Sequence, residues 1–427
     1  MRWHGHRQTA LMREVAALNV DASGPRNVFF ARDAHCGLTH ATCSHRVAKE
    51  LLKRLQEKDY SGYDPYDALN SRLSRLVPDR AALLRRLAVQ AVKRCPISLE
   101  PFMGIARQVN SYTVGHALLT AVRLAGLGLL PDADAGIADL LTRLEALAVC
   151  QRGTMGWGYP FPVAVRFTSY PACLPNVVAT SFVAKGLAHA HLAGIGCYAA
   201  DMERIAAFIL RDLPRTRSRQ GQCFGYTPSY GGIVHNANAL AAQTLALAFR
   251  IIGNESYRDE AIEAARFIVA HQRPDGSWPY AEADNGGWVD GFHTGFTLDG
   301  LAVVAEQADS DVIRESAARG FRFCTRQLFT GEGAPSYYAD GREPFDALSA
   351  AQGIETLATL GRGDREAEQL LSRLVTWTHT NVIDSRNGRV AYQVHRHWTD
   401  WRQFPRWSIA PMASALAGLG LGEAGKE

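Results

Sequence analysis

The feature that most constrains the fold is an internal repeat of about 60 residues, which begins near residue 79 and continues to the last helix. Apolar segments start at residues 110, 176, 235, 292, 346 and 408, so the successive intervals are 66, 59, 57, 54 and 62 residues. A period of this size is typical of helical hairpins that bury a shared core by stacking on their neighbours. The repeat therefore favours an all-α architecture.

Two kinds of helix alternate within the repeat. Helices with one charged face, typical of an outer layer, are predicted over residues 79–94, 136–150, 202–213, 257–272, 311–328 and 364–378. Nearly uncharged helices rich in Ala, Gly, Ser and Thr, which must be buried, are predicted over residues 111–124, 177–190, 238–249, 294–304, 347–360 and 409–419. Small residues let the buried helices crowd around one axis. Six such hairpins predict an (α/α)6 toroid over residues 59–427, although an open solenoid has the same periodicity.

Residues 1–58 precede the repeat and differ from it. They contain five of the 14 histidines, including His4, His6 and His35, and two of the eight cysteines. The crowded spacing between His35 and His45 matches no standard zinc module. A helix over residues 44–57 predicts instead a short helical extension that packs on the toroid.

The composition narrows the class of protein. The chain is 47% hydrophobic and 21% charged, which is typical of a globular protein. A net charge of +4 is too small to indicate a nucleic-acid partner. The eight cysteines stand singly and are expected to be reduced. Because neither a secretory signal nor a membrane-spanning segment is recognisable, we expect a cytoplasmic protein.

The connections between outer and inner helices share a glycine turn followed by aromatic residues. The pattern recurs at residues 151–159, 220–226, 272–280 and 387–392. Glycine lets the backbone reverse after a helix, and the aromatic ring can cap the turn. Most of these aromatic residues are expected to be structural.

These motifs carry a resemblance to known families. Residues 272–280 resemble the QW-type repeat of the terpenoid cyclase and protein prenyltransferase superfamily of α/α toroids. Residues 62–71, 290–301 and 406–408 resemble a bacterial family of prenyltransferase-repeat proteins found with polysaccharide-biosynthesis genes. The resemblance covers residues 59–427 and implies a toroid whose substrate is a polysaccharide or a lipid-linked glycan.

Candidate site residues are expected where the inner helices begin, because helix N-termini gathered at one rim attract anions. Aromatic, amide and charged side chains at this rim suit a carbohydrate. Candidate catalytic residues are His293, Asp290, His235, Tyr226 and Tyr230. Candidate substrate-binding residues are Asn176, Asn236, Asn238, Tyr280, Trp288, Asp346, His395, Arg406 and Trp407.

The sharpest candidates are Asp290 and His293, since a carboxylate three residues before a histidine at a helix start can orient the imidazole. Asp290 could equally be a simple helix cap. His235, Asn236 and Asn238 hold the corresponding place one repeat earlier.

The remaining candidates also have two interpretations. A neighbouring cation could lower the pKa of Tyr226 or Tyr230, or these tyrosines could be packing residues. Arg406 and Trp407 could clamp a carboxylate and a sugar ring, or close the toroid. Asp346, with Arg342 four residues earlier, could be a cap or a catalytic acid.

The chemistry that fits these residues best is proton abstraction from a uronic acid, as in a C5-epimerase or lyase. Alternatives are a glycoside hydrolase using Asp290 and Asp346, a non-catalytic glycan-binding scaffold, and an isoprenoid-binding enzyme. The prenyltransferase resemblance implies zinc, but no cysteine stands two residues after Asp290, so neither a metal nor another cofactor is expected.

Overall fold

The computed structural model describes residues 36–72, 81–164, 168–341, 344–384 and 386–421. Arg342 and the histidines at positions 4, 6 and 35 lie outside these ranges. The description that follows concerns the compact unit from Gly37 onward.

Thirteen α-helices and thirteen short strands make up the described chain. The helices are α1 Cys36–Glu57, α2 Ala82–Arg94, α3 Ser111–Gly126, α4 Ala133–Leu147, α5 Val177–Leu192, α6 Ala199–Ala207, α7 His235–Ile252, α8 Glu255–Ala270, α9 Gly291–Ala308, α10 Asp311–Gln327, α11 Ala347–Leu360, α12 Arg365–Asn381 and α13 Ala410–Ala417. The strands are β1 Ser61–Gly62, β2 Gln108–Val109, β3 Val149–Gln151, β4 Thr154–Gly156, β5 Val163–Ala164, β6 Ser169–Tyr170, β7 Arg215–Ser218, β8 Gly221–Phe224, β9 Phe345–Asp346, β10 Ile383–Asp384, β11 Arg389–Val390, β12 Gln393–Val394 and β13 Thr399–Asp400. A 3-10 turn spans Asp67–Asn70, and π-helical turns span Phe208–Asp212 and Pro405–Ile409.

Six inner helices form a closed ring. Helices α3, α5, α7, α9, α11 and α13 each pack on the next, and α13 packs back on α3. Their Ala, Gly, Ser and Thr residues are almost fully buried, as expected for helices that lack a solvated face. The predicted (α/α)6 toroid is therefore confirmed, and the open solenoid is wrong.

The outer helices α4, α6, α8, α10 and α12 follow their inner partners and pack against them. Helix α1 lies between the last and the first of these outer helices. Ser44 Oγ is 2.9 Å from His379 Nε2 on α12, and Asp59, just after α1, pairs with Arg143 of α4 at 2.6 Å. Because its apolar residues belong to the same core as the ring, α1 completes the outer layer. The domain boundary between residues 58 and 59 stays a prediction.

Helix α2 does not belong to the outer layer, where the periodicity places it. The periodicity assigns residues 79–94 to the outer layer, but α2 contacts the 3-10 turn Asp67–Asn70 and strand β5 instead. Its buried residues Val89 and Val92 pack in a separate small cluster with Leu69 and Ala164. Helix α2 consequently lies beside the N-terminal ends of the inner helices.

The small sheets are all antiparallel and connect outer helices to inner ones. Pairs β3–β4, β7–β8 and β10–β11 are hairpins that follow outer helices α4, α6 and α12, and β12 pairs with both β13 and β9. These connections bring the chain to the rim where each inner helix begins. No helix in the described ranges is both long and apolar enough to cross a bilayer.

Candidate active site

A cavity of about 530 Å³ opens at the rim where the inner helices begin. Nine of the 14 tyrosines of the chain line it, together with three tryptophans and three phenylalanines. The aromatic lining consists of Tyr66, Tyr112, Tyr159, Tyr170, Tyr226, Tyr230, Tyr280, Tyr337, Tyr338, Trp288, Trp398, Trp407, Phe161, Phe292 and Phe296. Its size and its few polar groups among aromatic walls are typical of a ligand pocket.

The glycine-turn motifs supply part of this lining, and the two aromatic residues of a motif have different surroundings. The first aromatic residue packs against an outer helix, where Trp157 and Trp278 each donate an indole hydrogen bond of 2.8 Å to a helix carbonyl. The residues two positions later, Tyr159 and Tyr280, line the cavity. Phe224 and Tyr392, from the other two motifs, are fully buried and lie outside this lining. The structural role expected for most of these aromatic residues is thus confirmed for the two tryptophans, Phe224 and Tyr392.

Asp290 and His293 form the most organised polar pair of the cavity. The Asp290 side chain caps α9 by accepting the backbone N–H of His293 at 3.0 Å. Its other oxygen accepts His293 Nδ1–H at 2.6 Å and Trp288 Nε1–H at 2.9 Å. The carboxylate is buried, whereas the His293 side chain is 21% exposed. Both interpretations of Asp290 therefore hold at once, since one oxygen caps the helix and the other orients the imidazole.

Most of the predicted site residues meet in this cavity. Those that line it are Asp290, His293, Tyr226, Tyr230, Asn236, Tyr280, Trp288, His395, Arg406 and Trp407. The Tyr280 and Trp288 rings stack at 4.6 Å, and the His395 and Trp398 rings stack at 4.1 Å. The cavity therefore unites side chains from four successive repeats.

The lowered phenol pKa considered for Tyr226 and Tyr230 is wrong. Burial raises the pKa of Tyr226 well above its usual value of 10, and burial also raises the pKa of Tyr230. Loss of water around a phenolate disfavours the charged form, and no cation compensates at these positions. Both tyrosines are consequently neutral hydrogen-bond donors at physiological pH.

Four predicted residues lie outside the lining of the cavity. Asn176 caps α5, and Asn238 bonds the backbone of Gln222, Phe224 and Ala264. His235 is 1% exposed and contacts Glu282 at 2.7 Å.

Asp346, the fourth of these residues, is a helix cap. It accepts the backbone N–H of Leu348 at 2.9 Å and the indole N–H of Trp407 at 3.0 Å. Asn176, Asn238, His235 and Asp346 thus hold the framework together instead of facing a ligand.

Arg406 lines the cavity but its guanidinium is already engaged. It donates to both oxygens of Asp64, with distances of 2.5 and 2.8 Å. The approach is close because Gly62 lies against Pro405, where a Cβ would come within 2.4 Å of the proline ring. Arg406 therefore fixes residues 62–66 beside the cavity, and the carboxylate clamp expected of it needs another cation.

Lys93 is another cation that lines the cavity, and it was not among the residues predicted from the sequence. Its Nζ donates to Tyr66 Oη at 2.6 Å and lies 4.5 Å from the centre of that ring. In the described part of the chain no carboxylate pairs with it. Lys93 was missed because it belongs to α2, which the repeat assigns to the outer layer. The motif at residues 62–71, which contains the Tyr66 that binds Lys93, was the sequence feature that indicated a site in this region.

The described residues contain no group of three or more His, Cys, Asp or Glu side chains able to hold a metal ion. Cys223, the nearest loop thiol, is buried, and burial raises its pKa to about 12. A protonated thiol is a poor zinc ligand. The seven described cysteines from Cys43 to Cys324 are free.

Comparisons with known proteins extend the description of the fold. No protein-family profile matches the chain. No curated protein sequence matches it either. Solved structures do resemble it at 12% sequence identity. Cellobiose 2-epimerase from Spirochaeta thermophila matches with a TM-score of 0.57 over 75% of this chain and 87% of that one.

Two further solved structures resemble the chain. A GH76 α-mannanase from Bacteroides thetaiotaomicron matches with a TM-score of 0.58 over 74% of this chain and 88% of that one. An unsaturated glucuronyl hydrolase specific for heparin matches with a TM-score of 0.58 over 91% of this chain and 99% of that one. These similarities establish the α/α toroid, and fold alone does not fix a reaction.

Proposed function

We propose that the protein is a carbohydrate-active enzyme that abstracts a proton beside the carboxylate of a uronic acid, as a C5-epimerase or lyase does. The observation that carries the proposal is the 2.6 Å contact between Asp290 and His293 at the wall of an aromatic cavity. The solved structures with the same fold include a sugar epimerase and a glucuronyl hydrolase, which supports a saccharide substrate.

His293 is the proposed general base. When Asp290 accepts the proton on Nδ1, the lone pair of the imidazole lies on Nε2. The carboxylate also stabilises the imidazolium that forms once Nε2 has taken a proton, as in other histidine–carboxylate pairs. Tyr280, whose ring lies 4.5 Å from the imidazole, restricts its movement.

Neutral tyrosines are the proposed acids. Tyr226 hydrogen-bonds to Tyr159, and burial keeps both phenols protonated by raising their pKa. In epimerisation His293 takes the C5 proton from one face and a tyrosine returns a proton to the other. In elimination the C5–H and C4–O bonds break, C4 and C5 become doubly bonded, and the acid protonates the departing oxygen.

Lys93 is the proposed partner of the substrate carboxylate. Removal of the C5 proton spreads negative charge onto that carboxylate, and a fixed cation beside it lowers the energy of the transition state. Tyr66 holds the ammonium at the cavity through the 2.6 Å hydrogen bond. The indole rings of Trp288 and Trp407 are the proposed surfaces on which the sugar ring stacks.

Hydrolysis receives less support from the same geometry. It usually requires two carboxyl groups on opposite sides of the scissile bond. Of the described residues that line the cavity, only Asp290 and Asp400 are acidic, and Asp400 is held by Arg402 at 2.7 Å. Asp346, the expected second carboxylate, is bonded to Trp407 instead.

Isoprenoid binding is the second candidate, because fifteen aromatic side chains suit a polyprenyl chain as well as a sugar. A lipid-linked glycan would present both chemistries. Polysaccharide biosynthesis is the setting that the sequence resemblance implies for either substrate, and we infer a cytoplasmic location for it.

The test incubates the protein with uronic-acid glycans in deuterated water and follows the C5 position by NMR. We expect deuterium at C5 with inverted configuration for an epimerase, or an unsaturated product for a lyase. Cleavage without deuterium or unsaturation would identify a hydrolase and refute the proposal. Binding of farnesyl diphosphate without binding of any glycan would favour the isoprenoid candidate.

A further inference from the structure

A second cavity, of about 660 Å³, adjoins the first and differs from it in its lining, which contains two aromatic residues instead of fifteen. Four arginines line it: Arg273, Arg319, Arg322 and Arg326. We refer to it as the arginine groove. Trp288 and Val289 form part of its wall, and Trp288 also lines the aromatic cavity. The two cavities therefore meet at one tryptophan.

Three of the arginines share one face of α10, because positions 319, 322 and 326 follow the three- and four-residue spacing of a helix. Like charges at this spacing destabilise a helix. None of the four arginines belongs to an ion pair among the described residues. Arg319 donates to the Gln272 side-chain oxygen at 2.6 Å, and Arg273 donates to the Gly287 carbonyl at 3.2 Å.

The two acidic residues of the groove do not neutralise this charge. Asp275 accepts the backbone N–H and the hydroxyl of Ser277, at 2.9 and 2.7 Å, within its own turn. Asp340 is exposed at the edge of the groove. Some arginines of the other outer helices, by contrast, have carboxylate partners, as Arg266 has Glu263 at 3.0 Å and Arg314 has Asp311 at 2.7 Å.

We propose that the arginine groove binds oxyanion groups, either carboxylates or sulfate esters, on sugars that flank the one held in the aromatic cavity. Guanidinium groups bind such planar or tetrahedral anions with paired hydrogen bonds. The substrate is then an acidic oligosaccharide or polysaccharide that crosses Trp288, not a single sugar. This inference rests on the proposed function, since it extends the same substrate beyond the reacting residue.

The test compares the parent protein with the double variant Arg322→Gln/Arg326→Gln. A matched control, Arg258→Gln/Arg266→Gln, removes the same charge from α8, where both arginines have acidic partners. Binding is measured by calorimetry for heparosan, which carries carboxylates, for heparin, which adds sulfates, and for a uronic-acid disaccharide too short to leave the aromatic cavity.

We expect the groove variant to bind the long acidic chains about tenfold more weakly, with a smaller salt dependence, because charged hydrogen bonds are lost. Binding of the disaccharide should not change, and the control should resemble the parent. Loss for both chains identifies carboxylates as the ligand, and loss for heparin alone identifies sulfates. Equal binding by variant and parent, or no binding of either chain by the parent, would overturn the inference.

These measurements separate the inference from the proposed function because binding requires no turnover. If long chains bind through the groove but no deuterium enters C5, the groove stands and the proposed reaction fails. If deuterium enters C5 while the groove variant binds and reacts like the parent, the reaction stands and the groove proposal fails.

Discussion

Helices α7 and α9 begin at neighbouring places in the inner ring with a histidine near the start of each, yet only one histidine reaches the cavity. His293 is the third residue of α9, after the cap Asp290. His235 is the first residue of α7, after the cap position Val234. Two helical positions correspond to a rotation of about 200°. His235 consequently faces Glu282 and His271, away from the cavity.

The comparison teaches that the distance from the cap, and not the residue type, decides what a histidine does at this rim. The residue of α7 that corresponds to His293 is Ala237, and Asn236 corresponds to Phe292, which lines the cavity. Val234 also offers no side-chain cap, so α7 lacks the carboxylate that orients His293. His235 therefore lies two helical positions before the place that corresponds to His293, and the equivalence expected from the sequence is wrong.

The largest expected effect comes from exchanging the two histidines for glutamine separately. His293→Gln should lower the rate of deuterium incorporation by about 10²–10⁴-fold, because a general base is lost. His235→Gln should leave that rate close to the parent value. Circular dichroism checks that both variants fold. A rate loss confined to His235→Gln would invert the assignment of the two helix starts.

A smaller effect on the rate is expected for Asp290→Asn. The amide oxygen can still cap α9, but the amide N–H₂ then faces His293 Nδ1 and reverses the tautomer, so that Nε2 carries a proton. We expect the rate of isotope exchange to fall by about 10²-fold. Tm should fall slightly, because the indole N–H of Trp288 loses this acceptor.

Asp364→Asn is the matched control for this substitution, since Asp364 caps the outer helix α12. It should change neither the rate nor the tautomer of His293. If Asp290→Asn retained full activity, Asp290 would be only a cap, as Asp364 is.

The smallest effect is expected on stability, and it concerns His235. Burial lowers the pKa of His235 below 6.5, although the hydrogen bond that His235 donates to Glu282 acts in the opposite direction. Below pH 6.5 the unfolded chain therefore binds a proton that the folded chain does not, and stability falls as the pH falls through the folded-state pKa. His116 and His189, whose pKa burial lowers to about 3, act in the same direction.

His235→Gln should thus reduce the free energy of unfolding at pH 7 by about 1 kcal/mol, because the glutamine replaces the bond to Glu282 imperfectly. It should also make the loss of stability toward acid shallower than in the parent. Urea unfolding of both proteins at pH 7 and pH 4.5 measures this. Identical slopes for the two proteins would mean that His235 is not held neutral by the fold.

The sequence was sufficient to predict the ring of inner helices and the contact between Asp290 and His293 at the candidate site. The six inner helices were predictable because residues such as those of 177–192 are nearly uncharged and form no continuous polar face, and such a helix belongs in a core. Asp290 and His293 were predictable because their interaction is local and follows from the geometry of one helix start.

Other parts of the site depend on contacts that no local pattern reveals. Asp64 and Arg406, whose ion pair fixes the wall of the cavity, lie 342 positions apart. The place of α2 was missed because an amphipathic helix can cover a rim as well as a ring. The tyrosines two positions after Trp157 and Trp278 had a signal, since their spacing repeats. Tyr280 was predicted as a candidate on this side, whereas Tyr159 was attributed to packing.

Closure of the ring also determines the stage of folding at which the cavity forms. Tyr66 and Trp407, whose rings lie 5.5 Å apart, come from opposite ends of the repeat array. During synthesis the earlier hairpins can stack as they emerge, while the face that awaits Trp407 stays open to water. The protein should therefore gain its affinity for the ligand in a single step, when the last hairpin docks on the ring. Proteins truncated before residue 404 should show no ligand binding, instead of a partial affinity.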